Sequence, residues 1–422
     1  MKNKVLQGLC LLACTFIFAL PVWAEEISNQ DLQYELRKTQ EKVKTLEKIL
    51  QERIEPAKFE GEVKEREQDL HDRVSKIEKT MESSEEGGLL DSLAERITIG
   101  GLIEVGAVYA SIENDDGSDE DDTDICLTTV ELDLGIKVNE WVNADFVLLY
   151  EDPSFGEETS FDVDEGTITI GSTDQCPAYI AAGKMYVPFG AQLTHFPDDP
   201  LIDQPLTLAF GETSEKALRI GFERDGLACS AYAFNGDLDE AGSDDAIESY
   251  GFDVNYTLDD EALPYGMSVG ASYISNVAES DGLTDGLGVD EIDDYVGGAA
   301  AYGHLDIYDF FLDAEFMTAL NHFERGELAV GNGDGAKPSV WNIEAGYNWN
   351  WGKNLEIVLK YAGSDEAEGL GYPEDRYGIN FNQEIFKGVI GSVGYIHDEF
   401  DRNDIDNRDD RDLLFSQIAV EF

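Results

Sequence analysis

The 422-residue chain carries 89 acidic against 29 basic residues, a formal net charge of −60. So large an acid excess excludes nucleic acid as a partner, because binding phosphates requires a basic footprint. It suits divalent cations, cationic solutes or a salty exterior, and much of it solvates loops. Hydrophobic residues make up 42% of the chain while mean hydropathy is −0.30, the combination expected where apolar positions alternate with polar ones.

Lys2 and Lys4 precede an apolar run from Val5 to Val22, which ends at Pro21-Val22-Trp23-Ala24. A charged start, an apolar middle and small residues at −3 and −1 of a cleavage point define an export signal over residues 1–24. A lipidation site at Cys14, in Leu11-Leu12-Ala13-Cys14, is the competing reading. Beyond residue 24 no apolar run is long enough for a transmembrane helix.

Residues 25–82 have a helical period. Leu32, Leu36, Thr39, Val43, Leu46 and Leu50 form an a/d seam flanked by Glu, Lys, Gln and Arg. Pro56 and Gly61 interrupt it, and Leu70, Val74, Ile77 and Met81 resume it. Such a seam is buried by pairing with other copies, so a periplasmic coiled coil and a homo-oligomer, a trimer in the first instance, are expected. A lone amphipathic helix on a barrel mouth is the alternative. Residues 83–95, opening on Ser83-Ser84-Glu85-Glu86-Gly87-Gly88, read as a linker.

From residue 96 to residue 422 the period becomes two. Val130, Leu132, Leu134, Ile136 and Val138 alternate with Thr129, Glu131, Asp133, Gly135 and Lys137. Trp341, Ile343, Ala345, Tyr347 and Trp349 alternate with Asn342, Glu344, Gly346 and Asn348. Strands are predicted at 96–111, 125–138, 141–152, 161–172, 177–189, 216–224, 226–236, 248–258, 264–276, 294–305, 308–320, 338–350, 354–363, 376–385, 388–398 and 412–422.

Alternation alone fits a soluble sandwich as well as a membrane barrel; connection lengths separate them. Odd connections are long or acidic, including 113–124, 188–215, 237–247, 279–293, 321–337, 363–375 and 399–411, whereas even ones such as 139–140, 224–225 and 386–387 are short. That pattern, with an even strand count, predicts a transmembrane antiparallel β-barrel of about sixteen strands, lipid outside and water within. Tyr109, Trp141, Tyr150, Tyr186, Phe234, Tyr256, Tyr273, Trp349, Tyr361 and Tyr395 lie near strand ends and read as interfacial girdles. The last strand, Leu414-Ser416-Ile418-Val420-Phe422, ends on the aromatic expected of an outer-membrane strand.

Catalytic motifs of the Gly-x-Ser-x-Gly, His-Glu-x-x-His and phosphate-loop types do not occur, so no enzyme is expected. Cys126, Cys176 and Cys229 leave any disulfide pairing open. No cofactor is implied, though the acidic outer loops offer oxygen ligands of the kind that take Ca²⁺ or Mg²⁺.

The inward face follows from parity. Glu104, Glu131, Asp133, Lys137, Asp145, Lys184, Tyr186, Arg219, Asp253, Asp313, Glu315, Glu344, Glu356 and Lys360 fall on the polar phase, so a pore should favour cations. A single bulge would reverse any of these assignments. The longest connection mixes aromatics, proline and acids, with His195, Asp198 and Asp199 at its centre. It reads either as a loop folded inside as a constriction or as an outer lid.

Three stretches, Ile97-Thr98-Ile99-Gly100-Gly101-Leu102-Ile103-Glu104, Ala182-Gly183-Lys184-Met185-Tyr186-Val187-Pro188-Phe189-Gly190 and Leu206 to Glu212, resemble the LbtU-type siderophore porins, as does the order of coiled coil and barrel. The resemblance implies uptake of ferric siderophore, and hence iron, through an outer-membrane barrel without a plug domain. The alternatives are a general cation-preferring porin and a structural tether from outer membrane to peptidoglycan.

Overall fold

A computed structural model of the chain describes residues 96–151, 161–172, 176–194, 196–197, 199–201, 203–241, 247–258, 265–289, 291–330, 333–349, 355–401 and 405–422. The export signal, the coiled coil and the linker lie outside the described residues, as do His195 and Asp198.

Residues 96–422 build a closed antiparallel barrel of sixteen strands. These are β1 (Ile97–Asn114), β2 (Asp119–Lys137), β3 (Val142–Glu151), β4 (Asp162–Gly171), β5 (Ala178–Tyr186), β6 (Ser214–Arg224), β7 (Leu227–Phe234) and β8 (Ser249–Leu258). They continue as β9 (Tyr265–Ile274), β10 (Gly298–Ile307), β11 (Phe310–Ala319), β12 (Ser339–Trp349), β13 (Leu355–Asp365), β14 (Asp375–Phe386), β15 (Val389–Glu399) and β16 (Arg408–Glu421). Each strand pairs with its neighbour in sequence, and β1 closes on β16 from Leu102 opposite Glu421 to Asn114 opposite Arg408. Closure leaves no edge with unpaired backbone groups, as a bilayer demands.

The alternation expected from the sequence sets the two faces. Ile168 and Ile170 of β4, Ile180 of β5, Leu218 and Ile220 of β6 and Phe252 of β8 point outward and are exposed. Trp141, Tyr256, Trp349, Tyr361 and Tyr395 are exposed as girdle residues should be. Tyr109, Tyr150 and Tyr273 are half-buried, and two residues expected in the girdle lie inside: Phe234 is 1% exposed, and Tyr186 donates to Asp164. Among the described residues no helix is long and apolar enough to cross a membrane.

Connections alternate as expected between a short-turn rim and a long-loop rim. One expected loop is absent. Residues 113–124 largely extend β1 and β2, with Glu113 opposite Asp119 and Tyr109 opposite Thr123, leaving only 115–118 as a turn. Carboxylates are poor strand formers on a half-buried sheet, but this hairpin rises past the rim with both faces in water. There the ladder continues at no burial cost, and the Tyr109 hydroxyl donates to Asp121 at 2.9 Å.

Four connections on the long-loop rim turn inward: L3 (187–213), L4 (235–248), L5 (275–297) and L6 (320–338). L3 carries helix α1 (Leu206–Gly211) and L5 carries α2 (Asp281–Leu287), which pack on each other. Phe189, Phe210, Leu238, Val277, Leu283, Ile292, Phe323 and Leu328 from these loops join Met185, Phe234, Ile274, Met317 and Val340 of the wall in one buried cluster. Asp239–Glu240 and Glu291–Ile292 form a short parallel ladder that ties L4 to L5. The Glu279 carboxylate accepts from the backbone N–H of Asp237 at 2.9 Å and of Leu238 at 3.2 Å. Gly236 permits this approach: a Cβ there would lie 2.0 Å from Glu279 Oε1. The barrel therefore contains a loop-built core on its β5–β13 side. Fully burying a large apolar side chain contributes roughly 1.5–3 kcal/mol, so such a cluster holds its loops without a covalent link.

Candidate functional site

L3 crosses the lumen and returns. It leaves β5 with Gly190 N–H donating to Ser272 Oγ at 2.7 Å, while Ala191 N–H donates to Glu315. Phe196 reaches the opposite wall, packing in a cluster with Leu102, Ile396 and Phe415. The Pro200 carbonyl accepts from Asn380 and Asn382 of β14, each at 2.7 Å. α1 then packs on β11, β12 and β13 before the chain enters β6.

A buried ionic network fixes the far end of the loop. Asp203 Oδ2 accepts from Lys360 Nζ at 2.9 Å and from Arg376 Nη1 at 3.1 Å. Lys360 also faces Glu344 at 3.4 Å. Asp398 accepts from both Arg376 and Arg411, the shortest contacts being 2.6 Å. Asp199 is 4% exposed beside Glu344; burial, and then the Glu344 charge, push its carboxyl well above the usual range. Such a network is costly to desolvate, and removing one member leaves the others uncompensated. In L5, burial likewise raises Glu279 and lifts Asp281 to about 6.

The space left open runs along the β2–β6 side. A chamber of about 520 Å³ lies between that wall and L3, whose Gln192, Leu193, Thr194, Gln204 and Leu208 form its inner side. Among the described residues its acids are Glu131, Glu151, Asp164, Glu165, Glu212 and Glu315, and its single lysine or arginine is Arg219. A second cavity of about 410 Å³ lies toward the short-turn rim, lined by Lys137, Glu140, Asn143, Ser172 and Glu223. Thr169 and Tyr179 line both cavities, so the two adjoin along the wall.

The residues expected on the inner face meet different ends. Glu131, Tyr186, Arg219 and Glu315 line the chamber, and Lys137 lines the lower cavity. Glu104, Glu344 and Lys360 are sealed in the wall, Glu104 accepting from Gln417 at 2.7 Å. Asp313 bonds to His304 at 2.6 Å, Asp253 accepts from Tyr302 at 2.7 Å and Glu356 from Asn382 at 2.9 Å. Asp133 and Asp145 share the inner face of Glu131 by alternation without lining either cavity. Lys184 lines neither cavity and donates to the Val163 carbonyl at 2.9 Å.

Alternation misses several members. Asp164 and Glu165 are adjacent, yet both line the chamber, because the β3–β4 register shifts between Val147 and Leu148. A bulge places two consecutive side chains where strict parity allows one. A second shift, between Glu104 and Gly106, reverses β2: Ile125 and Leu127 are exposed on one phase, Ile136 and Val138 on the other. Asp203 gives no signal in the sequence. Arg376 does, since it shares the polar phase of β14 with Asn380 and Asn382. Cys126, Cys176 and Cys229 are free thiols. Among the described residues no group of three or more His, Cys, Asp or Glu is placed to hold a metal ion.

No family model matches the chain. It is 28% identical over 321 residues to a UPF0422 protein of Coxiella burnetii, a match covering 74% of this chain and 66% of that protein. It is 26% identical over 314 residues to a UPF0422 protein of Legionella pneumophila strain Lens, covering 68% and 57% respectively. The matches thus span less than two thirds of the length of these relatives. Among solved structures, the outer membrane channel DcaP of Acinetobacter baumannii aligns with a TM-score of 0.51 at 16% identity, over 76% of this chain and 96% of that one. An anion-selective porin from Comamonas acidovorans aligns with a TM-score of 0.53 at 12% identity, over 77% and 99%. At such identities the likeness establishes the fold, and that fold is a porin-type barrel.

Proposed function

We propose that the protein is an outer-membrane diffusion channel that prefers cations, with its route displaced to the β2–β6 side by the inward loops. One observation carries this reading: the chamber on that wall brings six carboxylates to one guanidinium among the described residues, and the cavity below it, which shares Thr169 and Tyr179, adds Glu140 and Glu223 with Lys137. Fixed negative charge on a narrow aqueous path concentrates cations and repels anions. The apolar outer face supports a path across a bilayer, and the coiled coil expected over residues 25–82 would extend into the periplasm and assemble a homotrimer. A tether to peptidoglycan is compatible with that extension but leaves the acidic route without a role.

The resemblance to siderophore porins supplies a specific cargo, a ferric siderophore. Planar-bilayer recording of the full mature protein tests both levels. Under a KCl gradient the expected reversal potential is that of a cation-preferring pore, and ferric siderophore added to the long-loop side interrupts the current. An anion-preferring reversal potential contradicts the channel's proposed charge selection; an uninterrupted current removes the siderophore and leaves the channel.

A further inference from the structure

Arg219 is the only lysine or arginine among the described residues that line the upper chamber. Its guanidinium carbon lies 5.6 Å from the centroid of the Tyr179 ring. That ring lies over Gly221, where a Cβ would meet the ring Cζ at 2.1 Å. Glycine at 221 therefore lets the ring lie flat on the wall, and the ring in turn supports the guanidinium. Tyr179 also borders the lower cavity, so the pair stands where the two cavities adjoin.

The guanidinium is under-used. Its Nε is buried and makes no hydrogen bond. The nearby carboxylate of Asp253 attracts it electrostatically while accepting from the Tyr302 hydroxyl at 2.7 Å. A guanidinium held beside an aromatic ring keeps its terminal N–H donors free to meet a carboxylate. A channel that only concentrated cations would have no use for a positive charge at its junction, where it raises the barrier to them.

We propose that Arg219, propped on Tyr179, is the specificity-determining residue of the route. It takes the carboxylate of a small solute whose ammonium group is favoured by the surrounding acidic field. The favoured solutes are then zwitterionic, of amino-acid or short-peptide type, rather than plain cations. This rests on the channel reading above.

The test uses the full mature protein in planar bilayers, with L-lysine or cadaverine added against a potassium current. Cadaverine has both ammonium groups and no carboxylate, so an acidic field alone would make it the stronger blocker. In the wild type, L-lysine is expected to block at about tenfold lower concentration than cadaverine, the order of a charge-assisted hydrogen bond. Arg219→Gln is expected to reverse that order, and Arg219→Lys to keep it with a smaller ratio. Heat-modifiable migration on gels verifies that each variant has formed its barrel. Stronger block by cadaverine in the wild type, or an unchanged ratio in Arg219→Gln, overturns the assignment. A wild type that passes no current at all overturns the channel reading itself, which is a separate result.

Discussion

Lys360→Met is expected to release the far end of L3 from the wall at neutral pH. Methionine nearly conserves the volume, so packing is little disturbed. What disappears is the ammonium group that faces Asp203 at 2.9 Å and Glu344 at 3.4 Å, with Asp199 beside them. Three carboxyl groups then share a dry site, with Arg376, itself shared with Asp398, reaching Asp203. Removing one partner of a buried ionic group costs about 3–5 kcal/mol, enough to undock a loop. Proteolysis within residues 187–213 should accelerate, and single-channel conductance should rise as the chamber loses its inner wall.

Acid should reverse the effect. The Asp199 carboxyl is already raised by burial and by Glu344, and it rises further once the ammonium is gone. A carboxyl whose pKa is raised in the docked state favours docking below its ordinary range, and that contribution is lost as pH climbs through the raised value. Protection of L3 in Lys360→Met should therefore be greater at about pH 5 than at about pH 7.5. Equal cleavage of variant and wild type at both pH values would remove the network from the account of how L3 is held.

Phe210→Ala is expected to loosen the same loop by a different cause. Phe210 is fully buried on α1, which packs against α2 and the β11–β13 wall. Truncating a buried phenylalanine costs about 3–5 kcal/mol, from lost transfer energy and the cavity left behind. Because L4, L5 and L6 share the cluster, increased proteolysis should extend beyond L3 into residues 275–297 and 320–338. No acid rescue is expected, since no ionised group is removed. That contrast separates apolar from ionic docking, and cleavage confined to L3 would argue against a shared core.

Strand positions were legible because the period of two is imposed by the bilayer itself. Every residue pair such as Ile168 and Thr169 must serve two media, and the text of the chain shows it. The same rule placed Glu131, Arg219 and Glu315 on the inner face. It fails where the backbone breaks its own period, as at Asp164 and Glu165, because a bulge leaves no signature in side-chain order. Acid density misled at 113–124, since Asp and Glu signal a loop only where the sheet is half-buried. The inward fold of L3 could be anticipated from its aromatics and prolines. The joining of L3 to L4, L5 and L6 could not, because Phe210, Leu238, Leu283 and Phe323 carry no periodic pattern and meet only in three dimensions. Asp203 belongs to the same class: its partners lie on β13 and β14, more than 150 residues along the chain.

Neighbouring residues on β4 offer the most direct test that lipid surrounds this barrel and water descends its β2–β6 wall. Ile168 is 54% exposed on the outer face, whereas Thr169 borders both cavities. In protein whose Cys126, Cys176 and Cys229 are replaced by serine, Thr169→Cys should react with a small charged, membrane-impermeant thiol reagent, and the current should fall. Ile168→Cys should resist that reagent and react only with a lipid-soluble one. Modification of both positions at the same rate by the water-borne reagent would contradict the account.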